Sequence, residues 1–124
     1  EVCMAPVKYN EGRTKQIRKV AIVGGSGTSF MSEAIASGAE AFITADVTYH
    51  TFHAAKGEIM LIDPGHYEME QFVPRGLENL LKINLEQNIK LFVSKVNTNP
   101  VEFYPDSGFK KLQTNYLYIQ NQTV

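Results

Sequence analysis

Ile59-Met60-Leu61-Ile62-Asp63-Pro64-Gly65-His66-Tyr67-Glu68-Met69-Glu70 is an apolar run that breaks at a turn and resumes with helix-like spacing. The four apolar residues Ile59 to Ile62 fit a short buried strand. Gly65 lets the backbone turn sharply between strand and helix. With the helix starting at or just before His66, the residues His66 and Glu70 share one face, one turn apart. An imidazole and a carboxylate in that relation can hold one divalent transition metal. The same spacing also suits a plain helix start, with an exposed histidine and a carboxylate near the positive helix end.

Upstream, strand and helix alternate twice more. Lys19 to Val23 is apolar and rich in β-branched residues, hence a buried strand. Gly24-Gly25-Ser26-Gly27 follows at once, then Phe30, Met31, Ala34 and Ile35 at helical spacing, with Thr28 or Ser29 as N-cap and Gly38 as the helix end. Ala41 to Thr44 is the second strand. Asp46 is placed to cap a helix carrying Val47, His50 and Ala54, which stops near Gly57. Val2 to Lys8 contains Pro6 and reads as an edge strand or lead-in.

Downstream, Met69, Phe72, Val73, Leu77, Leu80 and Leu81 form one apolar stripe of helical period. Pro74 inside it would clash with the carbonyl of Glu70, which predicts a kink or restart. Ile89 to Val93 reads as a fourth strand and Asn97 to Pro100 as a loop. Tyr116 to Ile119 is one further candidate strand. The pattern predicts an α/β fold, a mainly parallel or mixed sheet built from successive βαβ units with helices packed on it. The core is small, so a sheet face or edge is expected to be covered by a partner or a missing segment.

In such a sheet, ligands bind beyond the carboxyl ends of the strands. Three polar clusters fall there: Gly24 to Gly27, Asp46 with His50, and Asp63 with His66 and Glu70. The glycine loop (Gly24, Gly25, Ser26, Gly27) can present N–H groups to a phosphate, or can simply be a tight turn that needs glycine. It lacks both the GxGxxG spacing and a P-loop lysine. Asp46 and His50 repeat the four-residue relation. His50 can act as a ligand, a proton carrier or an orienting partner. Asp63 can orient His66 or cap its helix, and His53 reads as a surface residue.

At 124 residues, 44% apolar and 20% charged, the chain fits one soluble globular domain. A formal net charge of -1 argues against nucleic acid as a partner. One cysteine, Cys3, excludes an internal disulfide and fits a reducing cytoplasm. No apolar run reaches membrane-spanning length, so no membrane partner is expected. A chain that opens at Glu1 without methionine is expected to be a fragment or a processed product.

Four segments together resemble the Nif-three-like dinuclear metal-centre family, some members of which go by the name GTP cyclohydrolase type 2-like. They are Lys19 to Gly27, Thr44-Ala45-Asp46-Val47-Thr48-Tyr49-His50, Leu61 to Glu70, and Val93-Ser94-Lys95-Val96-Asn97-Thr98-Asn99-Pro100, in the family's order over about Ile17 to Tyr104. The resemblance implies that His66 and Glu70 are ligands in a two-metal site. It also implies a pocket lined by the Gly24 loop, Asp46 and His50. The metal would be a divalent transition ion: zinc, manganese, iron, cobalt or nickel. Family members are two-lobed α/β proteins that often form ring-shaped hexamers, and their remaining ligands, a His-His pair included, come from the amino-terminal lobe. This chain has no His-His pair, and Ala45 stands where the family often has glycine before Asp46. It therefore resembles the carboxy-terminal lobe alone, residues 1-104, followed by an extension, 105-124.

Two functions follow from the resemblance. One is a hydrolase in the full-length parent, inactive as an isolated lobe, acting on a nucleotide-like or phosphorylated small molecule. Asp46 and His50 would then move protons or position substrate. The other is a non-enzymatic metal- or ligand-binding module within a larger homo-oligomeric assembly.

Overall fold

The computed structural model describes residues 6–86 and 88–102, which fall into two compact units dividing between Ser94 and Lys95. The first unit is built on a four-stranded sheet. In chain order its elements are β1 (Lys8–Tyr9), β2 (Val20–Ile22), α1 (Met31–Ala36), β3 (Ala41–Ile43), α2 (Tyr49–Ala55), β4 (Met60–Asp63), α3 (His66–Glu70) and α4 (Val73–Asn84), with a 3-10 turn at Thr28–Phe30 before α1. The strands lie in the order β1-β4-β3-β2. Strands β2, β3 and β4 are parallel and β1 pairs antiparallel on β4, so the sheet is mixed.

The register puts Ala21, Phe42 and Leu61 side by side on one face. Ala34, Ala55, Ile35 and Phe52 pack there, so α1 and α2 both cover this face. Phe42, Ile59 and Leu61 are fully buried, each contributing about 1.5–3 kcal/mol of transfer free energy. The opposite face carries Tyr9, Val20, Ile22, Ile43, Met60 and Ile62. On it Val20, Ile22 and Tyr9 are exposed at 45%, 65% and 67%. Parallel strands normally have both faces covered, so this one is open within the described chain.

The strands expected over Lys19 to Val23, Ala41 to Thr44 and Ile59 to Ile62 form as Val20–Ile22, Ala41–Ile43 and Met60–Asp63, while the edge strand Lys8–Tyr9 meets the expected Val2 to Lys8 segment, among the described residues, only at Lys8. Helix α1 ends as expected at Gly38, whose φ of +80° suits glycine. There Gly38 N–H donates to Ile35 O at 2.9 Å and Ala39 N–H to Ala34 O at 3.1 Å. Pro74 forces the expected restart: α3 ends at Glu70 and α4 begins with Pro74 in its first turn, where a missing N–H costs nothing. The apolar stripe on α4 forms as a helix, but Phe72, Val73, Leu77 and Leu80 on it are all exposed.

Three local expectations are corrected. Ile89 to Val93 forms no strand. One side of β4 pairs with β3 and the other with β1, so the place for a next strand is already taken. Neither Thr28 nor Ser29 caps α1 with its side chain. Asp46 does not cap α2. Thr48 does, its hydroxyl accepting from Thr51 N–H at 3.3 Å.

In the second unit, the described residues 95–102 form the expected loop. Asn97 Oδ1 accepts from Asn99 N–H at 2.9 Å, and Asn99 Oδ1 from Val101 N–H at 3.1 Å. Tyr116 to Ile119 lies outside the described residues. No helix among those described is long and apolar enough to cross a membrane.

Candidate metal centre

The loops after β2, β3 and β4 meet at the carboxyl rim of the sheet, where the topology puts them. Gly65, with φ +101°, turns the chain from β4 into α3, so that His66 opens the helix. His66 and Glu70 then stand one turn apart, with Nε2 3.2 Å from Oε2. The other ring nitrogen, Nδ1, lies 2.7 Å from Asp46 Oδ2, which arrives from the loop after β3. Ser26, from the loop after β2, donates its hydroxyl to the same Asp46 oxygen. One imidazole is therefore held between two carboxylates from two different turns.

Asp46 is the one non-glycine residue with positive φ, +56°, among the described residues. Such a backbone costs about 1 kcal/mol or more, and aspartate tolerates it better than most residues. Its neighbours hold it there. Ala45 N–H donates to Gly25 O at 2.8 Å and Val47 N–H to Asp63 Oδ2 at 3.0 Å. Asp63 is buried at the end of β4, where Lys8 Nζ sits 2.8 Å from its Oδ2 and Gly65 N–H donates to its Oδ1 at 2.9 Å. It neither orients His66 directly nor caps α3. It ties the turn carrying Asp46 to the turn carrying His66.

Charge follows this geometry. The Ser26 hydroxyl first, then the His66 ring, hold the Asp46 carboxyl below its ordinary range. The hydrogen bond to Asp46, with help from the Glu70 charge and against some desolvation, pushes His66 above its ordinary value. Both groups are about half exposed, which moderates these effects.

The Gly24–Gly27 loop has a packing reason for its glycines. A Cβ at Gly25 would stand 2.7 Å from Glu70 Oε1 and 3.4 Å from the His66 ring. At Gly27 it would run into Val23 and come within 2.8 Å of Thr44 Oγ1. The Gly27 N–H donates to Thr44 Oγ1 at 2.7 Å, and that hydroxyl donates to Gly25 O at 2.9 Å. The Ser26 hydroxyl and the Gly27 amide are thus engaged within the protein, while Gly24 is exposed with open space around it. Thr44, fully buried, is a site support the sequence reading missed. A polar residue closing an apolar strand was the available signal.

His50 is exposed on α2 and packs edge-on against the Tyr49 ring at 5.4 Å between centroids. Its side chain makes no hydrogen bond among the described residues, and Asp46 faces His66 instead. Exposed His53 sits near the same tyrosine ring. No group of three or more His, Cys, Asp or Glu among the described residues is arranged to hold a metal. The donors that converge are two, His66 Nε2 and Glu70 Oε2. Two donors each about 2.1 Å from one ion at a tetrahedral angle stand about 3.4 Å apart. The observed 3.2 Å fits two neighbouring positions around one ion.

The chain is 40% identical over 92 residues to a GTP cyclohydrolase 1 type 2 homolog of Halalkalibacterium halodurans, covering 71% of this chain and 24% of that protein. It is 39% identical over 89 residues to the Streptococcus pneumoniae protein of the same name, covering 69% and 34%. A crystal structure of a Staphylococcus aureus hypothetical protein matches with a TM-score of 0.64 and 31% identity, covering 79% of this chain and 34% of that one. A Bacillus cereus protein related to NIF3 matches with a TM-score of 0.61 and 28% identity, covering 80% and 28%. The chain thus spans about a quarter to a third of these relatives' lengths. With the Duf34/NIF3 (NGG1p interacting factor 3) family model matching residues 1–100, the chain belongs to that family and represents part of its longer members.

Proposed function

We propose that this chain supplies the His66–Glu70 half of a divalent-metal site in a metal-dependent hydrolase acting on a nucleotide-like or phosphorylated small molecule. The carrying observation is the 3.2 Å approach of His66 Nε2 to Glu70 Oε2. With the ring proton on Nδ1, both facing atoms are acceptors, which either a second ring proton on the raised His66 or a metal ion satisfies. A bound transition metal would supply Lewis acidity and an activated water. His66 and Glu70 would hold it, and Gly25 leaves them room. Exposed His50, on the same rim, is suited to carry a proton. The name GTP cyclohydrolase 1 type 2 homolog belongs to the relatives and supports a nucleotide-like substrate class.

Two protein donors are fewer than a catalytic ion usually has, so the remaining ligands come from further chain of the longer protein. The open sheet face at Val20, Ile22 and Tyr9 is where we place packing of such a lobe. The same shortfall of donors favours a second reading, a metal-binding module with no turnover of its own.

Elemental mass spectrometry of the dialysed protein tests the metal role. Transition metal bound by the parent chain, or taken up from added zinc or manganese, should be lost in both His66→Ala and Glu70→Ala. Equal metal content in all three would contradict it. Turnover by the full-length protein that dies with His66→Ala would favour the hydrolase over the module.

A further inference from the structure

Asp46 is the least ordinary residue on the rim. It takes a left-handed backbone without being glycine, accepts from Ser26 and faces the His66 ring, all through one short loop. We infer that Asp46 is a positioning residue that commits the neutral His66 ring to carry its proton on Nδ1, leaving the Nε2 lone pair presented beside Glu70. The inference deepens the metal-site reading and rests on it for its purpose.

The argument is a competition between two acceptors. A neutral imidazole has one N–H and one lone pair. An ionised carboxylate only accepts, so whichever carboxylate holds the ring proton decides which nitrogen is left to bind metal. Asp46 Oδ2 lies 2.7 Å from Nδ1, and Glu70 Oε2 lies 3.2 Å from Nε2. Ser26 already fixes Asp46 in place, whereas Glu70 ends a flexible side chain on a five-residue helix. The shorter, better anchored bond takes the proton. Without Asp46, Glu70 becomes the remaining acceptor, the proton moves to Nε2, and the nitrogen that faces Glu70 is blocked.

Long-range nitrogen–proton NMR of the imidazole rings reads this directly in metal-free protein, at a pH where His66 is neutral. Zinc titration of the same samples reads its consequence. The parent chain should carry the His66 proton on Nδ1, and Glu70→Ala should leave it there. Asp46→Gly, which accepts the φ of +56° freely, should move it to Nε2 and weaken zinc binding about 10–100-fold. A parent ring protonated on Nε2, or an Asp46→Gly ring still protonated on Nδ1, overturns the inference without needing any metal. Zinc that fails to bind a parent chain whose ring proton sits on Nδ1 leaves the positioning intact and sinks the metal reading instead.

Discussion

The turn after β3 and the turn after β4 carry the same pairing four residues apart, Asp46 with His50 and His66 with Glu70, yet only the second pair closes. After β4, Gly65 absorbs the bend and the helix starts at His66, so four residues make one turn and the side chains meet at 3.2 Å. After β3, the bend falls on Asp46 itself, and the helix waits for Thr48. Asp46 is then outside the helix, its spacing to His50 means nothing, and its carboxylate crosses to the neighbouring turn. Helical spacing is informative only once the first helical residue is known.

The change with the largest expected effect breaks both turns at once. Asp63→Ala leaves the amides of Val47 and Gly65 without their shared acceptor at a buried position, and should cost about 3 kcal/mol in urea unfolding. Lys8 is largely exposed, so its ion pair with Asp63 contributes little of that.

Gly25→Ala attacks only the pair that closes. The strained φ of +63° costs about 1 kcal/mol. The new methyl displaces Glu70 Oε1, the end of a flexible chain, so the loss should show chiefly as about a tenfold weaker zinc titration.

His50→Ala probes the pair that does not close. Stability should stay within about 0.5 kcal/mol of the parent, with zinc affinity unchanged by calorimetry. A zinc loss equal to that of Glu70→Ala would show that His50 belongs among the ligands.

The smallest effect is in pH. His66 is raised above 6.5, so its contribution is fully present below that pH and fades as pH rises through the raised value. Asp46 is lowered below 3.8, so its contribution is present above that pH and fades as pH falls through the lowered value. The stability difference between the parent and His66→Gln should therefore be larger at pH 5 than at pH 9. A difference that grows toward pH 9 would contradict the pairing.

The shared rim was legible because short apolar runs alternate with helical spacing, and parallel crossovers bring the strands' carboxyl ends to one edge. His66 with Glu70 was legible because Gly65 marks the helix start, and Pro74 marked the break after α3. The Asp46–His66 contact was not, since it depends on one positive φ and on two loops far apart in sequence. Ile89 to Val93 has strand composition, but composition does not reveal that β1 already occupies the free side of β4. The glycines at 25 and 27 suggested phosphate because a close approach to His66, Glu70 and Thr44 asks for the same residue. The α4 stripe and the open sheet face show the same limit in packing. Both patterns predict burial, and the surface that would bury them is not among the described residues.

The most direct test is anomalous X-ray diffraction from crystals of this chain grown with zinc. The account predicts a single strong peak bonded to His66 Nε2 and a Glu70 carboxylate oxygen at about 2.0–2.2 Å, with Asp46 still on Nδ1. Zinc bound instead at His50 or His53, or no peak on His66 at saturating metal, would contradict it.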